Sequence, residues 1–459
     1  MIRGLNWLGD AVMSFPAISA IKRSHPSRQL VGVARSATAG VYECLDVMSP
    51  VLVEKRPLAD RLRLAREIRG LSPAGALVLT NSFSTAFMAR VTGAPVRVGS
   101  AKNLRSVFLT NPVKFTPQEE AAHESFKFLR LVQELGLRAP FSRPAIPAPP
   151  LPGDMALPEG FRLAIAPGAA YGSAKRWDAA HFATAAKLIL EGREGAAIIL
   201  GGPNEVEAAQ AVEAKLAKGP RVLNLAGKTA LRDAVAVLAR CHLTLSNDSG
   251  LMHLSGALDV PVVAAFGPTN PIKTSPLARR RAVLRFPAPC SPCRHRVCPK
   301  PERICFDGLT PEIVADAATK LLNPVRKSQK TIVWSPTGER VWPTGRVQGM
   351  NLFASATEIA KAGGQPSSAP PWIKIIWRPL ETANDWWGLI HERKLDPLST
   401  YWVGDNERSI ALSQAVGGRS VLLTTARAQA IIPDLLANGV LPTMAAPDWA
   451  RALEWIESF

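Results

Sequence analysis

The sequence predicts an α/β protein of doubly wound parallel sheets, arranged in three consecutive units. Three observations carry this. Short apolar runs that end in Gly, Pro, Asn or Asp alternate with helix-like stretches along the chain. A proline-rich segment at 143–160, RPAIPAPPLPGDMALPEG, breaks the alternation. Composition then changes near the end: nine of the eleven Trp lie beyond residue 330. The net charge of the chain is +18, but from residue 326 onward 14 basic residues face 12 acidic ones. Nearly all of the positive excess therefore sits in the first two thirds.

In the first unit, 1–145, LVGVARS (30–36) and GALVLTN (75–81) read as buried parallel strands, with ADRLRLAREIRG as a helix between them. Pro fixes φ and lacks an N–H, so 143–160 reads as an interdomain linker. The second unit, 146–325, holds RLAIAPG (162–168), AAIILGG (196–202), LTLSND (243–248) and VPVVAAFG (260–267). Ligands in such sheets bind beyond the C-terminal strand ends, where the polar residues fall, and two such units suggest a cleft between them. KTIVWS (330–335), STYWVGDN (399–406) and SVLLTT (420–425) open, continue and extend a third series within 326–459.

The composition, 47% apolar and 20% charged, is that of a globular chain. No apolar run approaches the roughly 18 residues of a membrane span. The N-terminus lacks a secretory pattern, and six Cys in 459 residues are no disulfide framework, so a cytoplasmic protein is expected. The positive field suits phosphates: a nucleotide, a phosphorylated lipid, an anionic membrane or nucleic acid. Scattered basic residues without a recognisable module argue against nucleic acid as a partner.

Five segments could carry chemistry. In Asn6-Trp7-Leu8-Gly9-Asp10, a strand enters a turn and then a helix, and Asp10 is either a helix cap or a base facing the cleft. Gly168 closes one strand, and Gly172 to Trp177 places Lys175 at a helix start, as a phosphate site or as an exposed basic loop. At the end of LTLSND, the run Asp248, Ser249, Gly250, Leu251, Met252 and His253 opens a helix whose unpaired N–H groups favour an anion, unless it is an ordinary cap. Phe266 to Pro271 forms a rigid loop beside it. Finally Cys290, Cys293, Cys298 and Cys305 cluster with His295, as a possible structural zinc site or as free thiols; the spacing matches no standard pair of zinc knuckles. Arg294 and Arg296 in that loop could meet acceptor phosphates. Neither GxGxxG nor a P-loop is present.

Taken together, NWLGDAVMSFPAI, LTNSFSTAFMARVTGAPVRVG, PGAAYGSAKRWDAAHFA, LGGPNE, NLAGKTALRDAVAVLA and NDSGLMHLSGALDVPVVAAFGPTNP resemble, in order, the ADP-heptose:lipopolysaccharide heptosyltransferases of glycosyltransferase family 9. The opening motif and CSPCRHRVCPKPERIC look most like the heptosyltransferase II members. The resemblance implies a GT-B fold: two Rossmann-like domains, acceptor side first and nucleotide-sugar side second, with the active site between them. It implies an ADP-heptose donor, a lipid A–inner core acceptor and peripheral contact with the cytoplasmic face of the inner membrane. On this resemblance Asp10 is the general base of an inverting, metal-independent transfer with no required cofactor. Lys175 and the helix start at Asp248 to Met252 would hold the diphosphate. His253, Gly168, Gly201 and Gly202 are weaker donor-pocket candidates, and Asn81, Ser82, Arg294 and Arg296 acceptor candidates. Only Met1 to Leu5 precede the opening motif, where the family has a fuller first strand, so a short central strand or a late start is expected.

The last unit resembles haloacid dehalogenase (HAD)-type phosphatases in YWVGDNERSIALSQAVGGRSVLLTT, with Asp405 at that motif's metal-binding position and Ser409 at its later acidic one. The nucleophile motif would fall at Ile332 to Gly338, which holds no Asp, so a degenerate, inactive domain is expected. The alternatives are a family 9 enzyme with another core sugar or acceptor, a sugar-nucleotide epimerase of the same architecture, and a bifunctional enzyme with a live phosphatase.

Overall fold

A computed structural model describes residues 1–55, 57–217, 219–322, 331–335, 351–355, 374–376, 400–415, 418–437 and 441–457. The alternating pattern resolves into three six-stranded sheets, and every strand pairing within them is parallel. The first holds β1 (Ile2–Arg3), β2 (Gly32–Ala34), β3 (Val51–Val53), β4 (Gly75–Val78), β5 (Val96–Ser100) and β6 (Asn111–Val113). The second holds β7 (Phe161–Ala166), β8 (Gly195–Ile199), β9 (Arg221–Asn224), β10 (Leu243–Asn247), β11 (Val262–Phe266) and β12 (Arg281–Arg285). The third holds β13 (Thr331–Ser335), β14 (Asn351–Ser355), β15 (Lys374–Ile376), β16 (Thr400–Gly404), β17 (Arg419–Leu423) and β18 (Met444–Ala446).

All three sheets share one strand order, third-second-first-fourth-fifth-sixth. The winding therefore reverses between β1 and β4, between β7 and β10, and between β13 and β16. A parallel sheet opens a crevice at that reversal, outside the carboxyl ends of the two strands. Asp10 follows β1, Asn81 follows β4, Lys175 follows β7 and Asp248 follows β10. Topology alone thus puts these four residues at the two switch points.

β1 has two residues but sits at the centre of its sheet, between β2 and β4. A buried ion network holds it there. Arg3 donates to Glu54 at 2.7 Å, Arg61 donates to the same carboxylate at 2.8 Å, and Arg3 also reaches Asn6 at 3.1 Å. Burial of so many charges is tolerated because each carboxylate oxygen has its own partner.

The proline-rich segment is no free tether. It has no regular secondary structure, yet Ile146 is buried and its N–H bonds Ala257. Arg143 pairs with Asp259 at 2.6 Å, and Arg240 donates to the Pro149 carbonyl. The Pro336 to Gly338 part of the phosphatase nucleophile motif lies outside the described residues. Among the described residues no helix is long and apolar enough to cross a membrane.

Candidate active site

The first two domains meet at a helix crossing. The helix Leu8–Met13, after β1, packs on the helix Gly250–Ala257, after β10. Two glycines permit the approach. A Cβ on Gly250 would stand 2.6 Å from Leu8, and one on Gly9 would stand 2.7 Å from the His253 ring. His253 is thus part of the interdomain packing. Burial lowers its pKa to about 4, so it stays neutral, and it is absent from the lining of the adjoining cavity.

That cavity, about 370 Å³, opens beside the crossing and takes walls from both domains. From the first come Asp10, Asn81, Ser100, Lys102, Glu124 and Lys127; from the second come Tyr171, Lys175, Asp248, Thr269, Lys273 and Arg294. Five cationic side chains face three carboxylates in this lining, so the cavity favours an anionic ligand.

Asp10 stands at the third position of its helix, and the residue before the helix, Trp7, makes no side-chain cap. Asp10 lies in the first turn of that helix and lines the cavity. Burial, then the neighbouring Glu124 carboxylate, push its pKa up to about 6, while Lys175 and Lys127 pull the other way. A carboxylate poised there holds a proton weakly enough to be ionised at neutral pH and strongly enough to accept one.

Across the cavity, Lys175 ends a 3₁₀ turn, Ser173–Lys175, and its Nζ lies 2.5 Å from Asp248 Oδ2. The Thr269 hydroxyl donates to the same oxygen at 2.6 Å. The Asp248 carboxylate is thus committed to orienting Lys175. Tyr171 lies under the ammonium, 5.0 Å from its ring centre, and the Arg296 guanidinium stacks on the same ring at 5.2 Å. Ser249 caps the helix Gly250–Ala257, accepting from the Met252 N–H, so the capping reading of that segment holds for its side chain.

The other candidates are distributed more widely. Gly168, Gly201 and Gly202 gather around the Glu205 side chain, which accepts from the Gly202 N–H at 2.8 Å. Asn81 lines the cavity and takes a hydrogen bond from Ser100 at 2.6 Å, whereas Ser82 caps the helix Phe83–Val91. Arg294 lines the cavity; the backbone of Arg296 accepts from Ala174 and so pins the Cys-rich loop against the Lys175 turn.

Cys290, Cys293, Cys298 and Cys305 are free thiols, and no three His, Cys, Asp or Glu side chains among the described residues are gathered as a metal set. Cys305 belongs to the core of the second domain together with Phe306, and burial, then the nearby thiols, push its pKa to about 11.

Sequence reasoning missed Lys102, Glu124, Lys127 and Lys273. Glu124 and Lys127 pair at 2.7 Å three residues apart on the helix Glu124–Gln133, a pattern that reads as an ordinary surface pair. Glu120 ties the set together. Its carboxylate binds Lys102 at 2.6 Å and Lys127 at 3.3 Å, and its backbone carbonyl accepts from Lys273 of the other domain at 2.5 Å.

Residues 61–303 match the sequence profile described as glycosyltransferase family 9 (heptosyltransferase). The chain belongs to glycosyltransferase family 9. Lipooligosaccharide heptosyltransferase 2 of Campylobacter jejuni is 31% identical over 325 residues, which cover 69% of this chain and 97% of the relative. Lipopolysaccharide heptosyltransferase 2 of Escherichia coli is 29% identical over 315 residues, covering 62% and 87%. The structure of the Escherichia coli ADP-heptose lps heptosyltransferase II superposes with a TM-score of 0.59 at 24% identity over 70% of this chain and 97% of that one. The family 9 fold of parallel sheets in a GT-B arrangement is therefore shared, and the cavity lies in the cleft between this enzyme's two Rossmann-like sheets.

Proposed function

We propose that this family 9 enzyme transfers a heptose from ADP-heptose to the inner core of lipopolysaccharide, in the manner named for its heptosyltransferase 2 relatives. The observation that carries the reading is the pairing, across one cleft, of a carboxylate with a pKa near 6 and a cation-rich wall. Asp10 takes the proton from the acceptor hydroxyl as it attacks the anomeric carbon. The bond to the diphosphate breaks on the opposite face, and the configuration inverts. Lys175 and the N–H groups of Ser249, Gly250 and Leu251 take up the charge on the departing ADP, which is the role a metal fills in other transferases. Lys102, Lys127, Lys273 and Arg294 suit an anionic acceptor. Residues 1–145 form the acceptor-side domain, 146–325 the donor-side domain and 326–459 a degenerate HAD-like domain. The third sheet supports this last assignment: Asp405 follows its central β16 and accepts from Thr425 at 3.2 Å.

The assay is release of ADP with ADP-heptose and core lipid truncated before its second heptose, in the presence of a chelator. Turnover is expected. Turnover with another nucleotide sugar alone would overturn the donor and leave the family intact.

The same reading puts the enzyme at the cytoplasmic face of the inner membrane, and one surface supports it. Between Glu67 and Glu119 the chain has no acidic residue and six basic ones. Within this stretch Leu104 is 86% exposed and Val107 77%, beside the half-exposed Phe83. The buried Arg105 fixes the turn by donating to the Thr80 and Val78 carbonyls. The patch adjoins Asn81 and Lys102 at the cavity rim. Replacing both Leu104 and Val107 by Ser should weaken sedimentation with phosphatidylglycerol vesicles on the order of tenfold or more. Equal binding by the variant would remove this face from the membrane.

A further inference from the structure

We propose that the C-terminal unit is a brace that holds the transferase cleft at a fixed opening, and that His123 is the positioning residue at its joint. The unit lies beyond residues 61–303, where the family profile matches. The described part of it grips both transferase domains.

On the first domain, Arg451 donates to the Ala139 carbonyl at 2.5 Å and to Glu454 at 2.7 Å, and Glu454 accepts from the Phe141 N–H at 2.8 Å. The Thr424 hydroxyl donates to the Gln118 carbonyl at 2.8 Å. On the second domain, Arg419 donates to the Arg279 carbonyl at 2.9 Å, while Arg281 and Arg285 donate back to the carbonyls of Thr443 and Leu436. Ile272, in the short helix Pro271–Thr274, belongs to the unit's own apolar cluster with Ile410, Leu422 and Leu435.

The three bodies meet at His123, which is completely buried. Its backbone N–H donates to Ala445 of the C-terminal unit at 3.0 Å. Its ring Nε2 lies 2.9 Å from the Ser275 carbonyl of the second domain, and its Nδ1 accepts from the Ser125 N–H of its own domain at 3.3 Å. A carbonyl only accepts, so Nε2 carries the hydrogen. Burial lowers the pKa to about 3, and this neutral tautomer persists across the working range.

Two of the gripped segments connect to three of the cavity's five cations. Gln118 precedes Glu120, whose carboxylate holds Lys102 and Lys127; Ile272 and Ser275 flank Lys273, which bonds Glu120 across the cleft. Two domains of one chain move relative to one another unless a large apolar interface prevents it. The C-terminal unit adds apolar contact beside its polar ties, with Tyr401, Val421, Met444 and Ile456 sharing one buried cluster with Phe126 and Phe141 of the first domain. Small displacements of groups around a reacting centre cost large factors in rate or binding.

The test uses the full chain in four forms: wild type, His123→Phe, His123→Gln, and Thr424→Val combined with Arg451→Met. Hydrogen exchange is read over 117–125 and 271–279, and steady-state constants are read for the acceptor. His123→Phe and the double variant should exchange faster in both segments and raise the acceptor KM by about tenfold or more, with kcat changed less than about threefold. His123→Gln, whose amide can reach the Nε2 position, should restore both. Unchanged exchange in folded variants overturns the brace. So does a loss of folded protein with KM per folded enzyme unchanged. The kinetic arm rests on the proposed reaction; the exchange arm does not, so failure of the reaction assay with slow exchange intact would strike the substrate and not the brace.

Discussion

Asp10→Asn should abolish transfer and, at the same time, make the fold more stable at alkaline pH. The loss in kcat/KM is expected at 10²–10⁴-fold, the range for removing a general base. In the wild type, kcat/KM should fall tenfold per pH unit below about 6, because only the ionised carboxylate accepts the proton. The stability effect has the same origin. The folded state raises this pKa from 3.8 to about 6, so it favours the protonated form. That contribution is complete below about pH 4 and is lost as pH rises through 6. Above that pH the wild type holds an ion in a desolvated cleft, at a cost of about 3 kcal/mol; the amide carries no such cost. Thermal melts of both proteins at pH 4 and pH 8 should show a gap at pH 8 that closes at pH 4. Matching melts at both, together with retained transfer, would mean a solvated carboxylate with no part in the chemistry.

Lys175→Ala should produce a second large effect, separable into two parts. Lys175 and Asp248 are 14% and 7% exposed. Removing the ammonium leaves Asp248 with only the Thr269 hydroxyl, and an orphaned buried charge costs on the order of 3–5 kcal/mol. Loss of the cation facing the leaving group should also cost roughly 10²–10³-fold in kcat. Adding Asp248→Asn should recover much of the stability, since no charge is then stranded, and should not recover transfer. Denaturant titrations and kcat/KM on the single and double variants check this. Transfer restored in the double variant would reduce Lys175 to a structural counter-ion.

Much of this site was legible from local pattern. Parallel strands covered on both faces read as continuous apolar runs, so β4, β7, β8, β10 and β11 stand out in the sequence, and the polar residue ending each run marks the ligand end of the sheet. Asp10, Asn81, Lys175, Asp248 and Arg294, all chosen from such positions or from the Cys-rich loop, line one cavity. Gly168, Gly201 and Gly202 occupy equivalent strand ends, yet they gather around Glu205. A strand end places a residue on the ligand side of a sheet; it does not say which neighbour it will touch.

The sequence by itself determined the α/β class, the order of the strand-forming runs and the family, because apolar periodicity and collinear motifs are properties of short stretches of chain. Only the tertiary structure decided that Asp10 lines the cleft, that His253 packs beneath Gly9, and that Lys102, Lys127 and Lys273 converge on Glu120. Each of these is a meeting of segments distant in sequence. The pKa of a carboxylate, the use of a thiol and the setting of a cleft depend on what burial and neighbouring charge bring to them, and those are fixed only when the domains pack.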